Sequence, residues 1–243
     1  SLKSQAEYMK DMFSVDLLKG HFENYLIIFK NFKIGQYLFN TLLVTVLKLV
    51  FTMPLAIFAS YAFAKLRFRG KNAMYPLIIS AMFIPFQVIM IPVYTMLTKL
   101  HMIDTYRGLI LVTGTIGIPS SIMLLSSSFR SIPNELLEAA AIDGCGYFRK
   151  IFHIMIPMGK PAIAICTIMG FISSWNDLLP PMVIIKSVNK RLVMPALDGL
   201  VSMYNADTPF QLTGILIAAV PAIAIYLILS KQIIMGISAG STK

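Results

Sequence analysis

Charge is what this sequence has least of. Of its 243 residues, 13% are Asp, Glu, Lys or Arg and 57% are hydrophobic, and the mean hydropathy is +0.75. A soluble domain carries about a quarter charged residues, so the polar residues here are too few to cover a water-facing surface. Soluble, disordered and collagen-like classes are excluded together. The two cysteines, Cys145 and Cys166, make no disulfide framework, and there is no CxxC or Cys/His cluster. They read as incidental small apolar residues. His21, His101 and His153 stand far apart, without the spacing of a metal site. Alternating short strands are also lacking, which excludes a transmembrane barrel.

What the sequence has is long apolar runs. Five stretches, 37–64, 74–98, 108–129, 161–180 and 209–230, reach the ~20 residues with which a helix crosses a bilayer. An all-α integral membrane protein with five transmembrane helices is therefore the expected fold class. The formal net charge of +10 is of a size that also suits nucleic acid, but its distribution assigns it to loops. Lys65, Arg67, Arg69 and Lys71 lie between the first two spans with no acid among them, which makes residues 65–71 cytoplasmic. Alternation then puts 130–160 and the tail 231–243 on the cytoplasmic side, and 1–36, 99–107 and 181–208 outside. The bias of the N-terminal segment is weak, with five lysines against four acids. The chain starts at Ser1 and shows no signal peptide. An odd number of spans with the N-terminus outside implies an upstream span removed or left out, and a native protein with six.

The longest polar interval within the membrane part is 130–160. Pro133 suits the start of a helix, residues 134–142 are strong helix formers with Glu135 and Glu138 in the early turns, and Gly144 and Gly146 can end it at φ > 0. A second short helix from Tyr147 is expected to stop before Pro157. Leu136 with Ala140 and Leu137 with Ala141 pair at i,i+4 into one apolar face, while Ala139 and Ala140 keep the neighbouring surface low enough for another protein to approach. An amphipathic connector has no need of that shape, so a docking helix is preferred.

The interval also carries a motif. Glu138-Ala139-Ala140, three residues, Gly144, nine residues, Ile154, one residue, Ile156 and Pro157 resembles the cytoplasmic "EAA" loop, E-A-A-x3-G-x9-I-x-L-P, of permease subunits of bacterial ABC importers. Only Ile156 departs from it, conservatively. The tail from Lys231 to Gly240 and the opening Ser1-Leu2-Lys3 resemble maltose-transporter-type sugar permeases, so the likeness covers the chain, with a first span missing. The resemblance implies an ABC importer permease (type I) fold in the bacterial cytoplasmic membrane. It further implies a second homologous permease subunit, a dimer of ATPase subunits that binds the ATP and Mg, and an extracytoplasmic solute-binding protein. The coupling surface to the ATPase would be Glu138, Ala139, Ala140, Asp143, Gly144 and Pro157. The implied solute is a sugar or oligosaccharide, or else a glycerol-phosphate-type polyol.

No cofactor and no catalysis are expected in this chain. A P-loop needs G-x4-G-K-[ST], and Gly70-Lys71 and Gly159-Lys160 are followed by Asn72 and Pro161, with no glycine five residues before.

Ionisable residues inside a bilayer are costly and face protein or water. Lys48, midway along its span, either lines a solute pathway or snorkels outward between subunits. Asp177, beside Trp175 and Asn176, is either an interfacial cap with Trp175 in the aromatic belt or part of a pore-facing sugar contact. Gln87 is the one strong hydrogen-bonding side chain in a span broken by Pro76, Pro85 and Pro92, which makes that span a candidate pore element. Thr113, Gly117 and Ser121 recur at i,i+4,i+8 and read first as a helix-packing seam. An ion-coupled secondary transporter is the main rival, but the five spans show no internal repeat. In a membrane-anchored assembly subunit, the other rival, the motif match would be chance.

Overall fold

The computed structural model describes the backbone of residues 2–11, 22–203 and 207–240, and side chains within these ranges except 203 and 229–240. All regular elements among the described residues are helical. The chain opens with α1 (Gln5–Lys10) and α2 (Glu23–Asn31), then turns through Lys33 at φ 50° into α3 (Ile34–Lys65). After α3 come α4 (Lys71–Ser80), α5 (Phe86–Lys99) and α6 (Tyr106–Arg130). Next are α7 (Asn134–Ile142) and α8 (Tyr147–Met158), then α9 (Lys160–Trp175) and α10 (Leu179–Ile184). Last come α11 (Val193–Met203) and α12 (Thr208–Gly240). Three helices (α3, α6 and Thr208–Ile228 of α12) are long and apolar enough to cross a membrane, or up to five if each of two bent pairs is one span.

α3 is the axis of the bundle. Its buried stripe, Val44, Lys48, Thr52, Ala56 and Ser60, repeats every four residues, one face of a helix. The smaller side chains of the stripe, Thr52, Ala56 and Ser60, let α6 approach closely: Ser60 Oγ donates to the Ile122 carbonyl at 3.3 Å. α9 lies against the same helix, where Thr45 Oγ1 donates to Ser174 Oγ at 3.2 Å. Tyr61, Phe129, Ile132, Leu137, Ile151 and Met155 form the apolar cluster at the α7 end. Val44, Leu97, Leu109, Ile184 and Leu192 belong to the cluster at the opposite end.

Several expectations are corrected. The stretch 74–98 is two helices bent by 97°, broken at Ile84 and Pro85, where the proline removes an N–H and disfavours helix in the residue before it. The stretch 161–180 stops at Trp175, and its last residues begin α10. The segment 181–208, placed outside without a structure of its own, contains α11, whose Val193, Leu197 and Leu200 are buried in one cluster with residues of α2 and α12. The helix from Tyr147 does not stop before Pro157. It widens into a π-turn over Ile151–Met155, and the Ile156 N–H bonds to the Ile151 carbonyl. The wider turn accommodates a proline that has no N–H and would crowd the carbonyl four residues back. The chain bends only at Gly159, by 80°, where a Cβ would meet Phe129 Cε1 at 2.5 Å. The backbone of α12 stays helical through Gly236 to Gly240. Residues 241–243 lie outside the described residues.

Candidate functional site

α7 stands at one end of the bundle, held by little. Pro133, at φ −57° and ψ 140°, caps its start. Its end is a Schellman turn: the Cys145 N–H bonds to the Ala140 carbonyl at 2.8 Å and the Gly144 N–H to the Ala141 carbonyl at 3.1 Å. Gly144 sits at φ 76°, with open space where a Cβ would point, so glycine is favoured there by the backbone alone. The buried face is the i,i+3 pair Leu137 and Ala140, whereas Leu136 and Ala141, expected to share it, are exposed. Glu138, Ala139, Asp143, Gly144 and, at the far end of α8, Pro157 are also exposed. Beyond them lies apolar surface that the sequence did not flag. Ile142 is 88% exposed and Phe148 69%, and Phe148 and Phe152 both stand edge-on to Phe58 of α3.

Deeper in the bundle, α3, α6 and α9 surround two adjoining cavities of about 320 and 610 Å³ that share Lys48, Gly117, Ser120 and Ser173. The larger also touches Phe86, Gln87 and Asp177. Lys48 is 7% exposed and therefore does not snorkel outward. One cavity thus carries an ammonium, a carboxylate, an amide and an aromatic ring. Thr113, Gly117 and Ser121 do not form the tightest seam. Gly117 and Ser121 are half-buried on cavity walls, and of the two glycines Gly114 lies the nearer to α3 side chains.

Residues 52–237 match the family model described as binding-protein-dependent transport system inner membrane component. The chain belongs to this family. The arabinooligosaccharides transport system permease protein AraQ of Bacillus subtilis is 30% identical over 100% of this chain and 87% of its own. The diacetylchitobiose uptake system permease protein NgcG of Streptomyces coelicolor is 29% identical over 99% and 80%. Among solved structures, a chain of a bacterial ABC transporter involved in the import of the acidic polysaccharide alginate aligns with TM-score 0.75, covering 95% of this chain and 86% of that one at 23% identity. That likeness concerns the fold, which is the type I permease fold.

Within this permease the residues singled out around Asp177 separate. Trp175 is 2% exposed, stacks on Phe171 with ring centroids 5.5 Å apart, and donates Nε1–H to the Ala218 carbonyl at 3.0 Å. It is neither a belt residue nor on the cavity with Lys48, because its indole packs against α12. Asn176 donates to the Ile172 carbonyl at 2.9 Å and, with Trp175, borders a different, largely apolar space between α9, α11 and α12. Lys48, Gln87 and Asp177 are brought together; Trp175 and Asn176 are not.

Sequence reasoning missed Asp104. At φ 59°, its carboxylate accepts from the Lys186 N–H at 3.0 Å, the Ser187 N–H at 2.9 Å, the Ser187 hydroxyl and Lys190 Nζ at 3.1 Å. The Ser187 hydroxyl and amide, aided by Lys190 and the Lys186 amide, hold it well below the usual carboxylate range. The loop before α6 is thereby tied to the loop after α10. Asn40 of α3 secures the same region, donating to the Asn189 carbonyl at 2.9 Å and the Arg191 carbonyl at 3.0 Å.

Proposed function

We propose that this permease forms half of the translocation pore of an ATP-driven importer for a sugar or oligosaccharide. α7 docks on a separate ATPase dimer that binds ATP and Mg and performs the hydrolysis. The observation that carries this reading is α7 itself, an exposed helix ended by a positive-φ glycine, at the end of the bundle and on the residues of the EAA motif. Rigid termination and the small exposed Ala139 suit a close contact with another protein. A second homologous permease subunit would complete the pore, and an extracytoplasmic binding protein would deliver the solute. The chain would lie in the bacterial cytoplasmic membrane with 65–71 and 130–160 inside and 181–208 outside.

Lys48, Gln87 and Asp177 would then contact the solute, with Phe86 on the same cavity wall supplying an aromatic ring. Hydroxyl-rich solutes suit amide and carboxylate partners together with a ring to lie on. The saccharide reading is supported by the relatives named for arabinooligosaccharides and diacetylchitobiose. A buried ammonium also suits a phosphate ester, which keeps a glycerol-phosphate-type solute as the second reading.

The test is purification from its host membrane followed by reconstitution. A co-purifying ATPase whose hydrolysis rises with loaded binding protein, and uptake of a labelled oligosaccharide in preference to glycerol phosphate, are the expected results. Uptake driven by an ion gradient without ATP would overturn the reading.

A further inference from the structure

α7 packs through only two buried side chains, Leu137 and Ala140, so a second attachment decides how firmly it follows the spans. Lys65, the last residue of α3, supplies one. Its Nζ donates to Asn134 Oδ1 at 2.8 Å, to the Arg130 carbonyl at 3.4 Å and to the Ile132 carbonyl. Arg130 ends α6 and Ile132 lies in the turn that follows, where a helix terminus leaves carbonyls without intrahelical partners. An ammonium there also meets the negative end of the helix dipole. Asn134 is the first residue of α7. One charged group thus joins the end of α3, the end of α6 and the start of α7.

The surrounding contacts stiffen this corner. Lys71 Nζ donates to the Leu66 carbonyl at 2.9 Å, closing the turn just after Lys65. The Arg130 guanidinium lies 5.1 Å from the Tyr75 ring centre, and the Tyr75 and Ser126 hydroxyls are 3.0 Å apart. An apolar contact of two side chains lets a short helix slide, whereas charge-assisted hydrogen bonds are directional and resist it. Lys48 lies on the same α3, about 26 Å from Lys65 at 1.5 Å per residue.

We propose that Lys65 is a positioning residue for coupling: it fixes α7 to α3 and α6, so that displacement of α7 is carried into the helix that lines the cavity. The proposal rests on α7 being the ATPase-docking helix. Lys65 touches neither solute nor nucleotide; it acts through the placement of α7.

The experiment compares Lys65→Met, which keeps the aliphatic stem, Lys65→Arg, which keeps charge and donors, and Gly144→Asp. Each is assayed in the full importer reconstituted with its ATPase and binding protein. Solute-stimulated uptake should fall about tenfold in Lys65→Met, the scale of losing a charged hydrogen-bond donor, and Lys65→Arg should restore most of it. Hydrogen exchange should quicken in residues 131–143 of Lys65→Met and stay unchanged along α3 and α6. Full uptake in Lys65→Met beside abolished uptake in Gly144→Asp would overturn the role of Lys65 and leave the docking reading standing. Full uptake in both would overturn the docking reading and this proposal with it. Exchange quickened throughout α3 and α6, or no rescue by arginine, would make Lys65 a general support of the fold and also overturn the proposal.

Discussion

Thr52 of α3 donates its hydroxyl to the carbonyl of Gly114 on α6 at 3.2 Å, a hydrogen bond between two of the long helices of the bundle. In a membrane, where apolar side chains gain little by leaving lipid, helix association depends on such close packing and on hydrogen bonds between helices.

Gly114 should therefore tolerate no side chain. A Cβ would stand 2.7 Å from Phe51 Cδ1 and 3.1 Å from Thr52 Oγ1. Gly114→Leu is expected to cost about 1–3 kcal/mol, the usual penalty of overpacking, seen as a lower melting temperature of the detergent-solubilised protein. Gly117→Ala, three residues on, should be near neutral, because the nearest atom is Thr52 Cγ2 at 3.9 Å. Equal melting temperatures for the two variants would contradict the seam described here.

Gly144→Asp and Glu138→Lys should leave the protein folded and inserted, since both positions are exposed and nothing lies within 4 Å of a Cβ at Gly144. The first adds positive-φ strain of about 1 kcal/mol; the second reverses a charge on the exposed face of α7. Each should abolish uptake and uncouple hydrolysis from loaded binding protein. The measurement is solute-stimulated ATPase activity with subunit retention, and wild-type stimulation would remove α7 from the coupling path.

The Asp104 clamp should open only in acid. A carboxylate whose folded pKa lies below its unfolded value adds stability that is fully present above the unfolded pKa of about 3.9 and is lost as pH falls through the folded one. Protection of the amides in residues 101–105 and 185–190, the intrinsic exchange rate at each pH divided by the observed one, should therefore be constant from neutral pH down to about 4 and fall below it. Asp104→Asn should show the lowered protection at every pH. A loss of protection centred near neutral pH would assign the clamp to another group.

Lys48→Met and Asp177→Asn should both reduce uptake in the assembled importer, because both line the larger cavity, and intramembrane charge is retained where it serves a path. Trp175→Phe should lose thermal stability through the missing Nε1–H bond to Ala218 yet keep uptake per folded molecule. Uptake lost in Trp175→Phe but kept in Lys48→Met would exchange their roles.

Local chemistry decides which of these features a sequence reader can see. Pro133, the helix formers from Asn134 and the glycine at 144 act within one short segment, so α7 and its turn are legible without tertiary information. The membrane class follows from composition, and Lys48 as an intramembrane charge follows from its place in an apolar run, although which side it faces does not. Asp104 meets partners 82 to 86 residues away, and Lys65 meets Arg130, Ile132 and Asn134 across a comparable gap. No local pattern announces such pairs, and Lys65 reads simply as one more basic loop residue. Trp175 misleads for a related reason: an aromatic residue beside Asn176 and Asp177 has the look of a solute contact, but helical rotation turns its ring toward α12. The π-turn before Pro157 was missed because a proline can be absorbed by widening a helix as well as by ending it.

α3 runs for 32 residues without interruption despite Pro54, about 48 Å at 1.5 Å per residue. Asn40 near one end grips the loop at 189–191, Lys48 faces the cavity, and Lys65 at the other end holds α7. Mechanically these are three stations on one shaft, sharing a single degree of freedom. A substitution that tilts the shaft at one station has to be felt at the other two, and a second substitution far away can restore it. Compensating changes between the two ends of α3, separated by nearly its whole length, are the genetic signature such a shaft would leave.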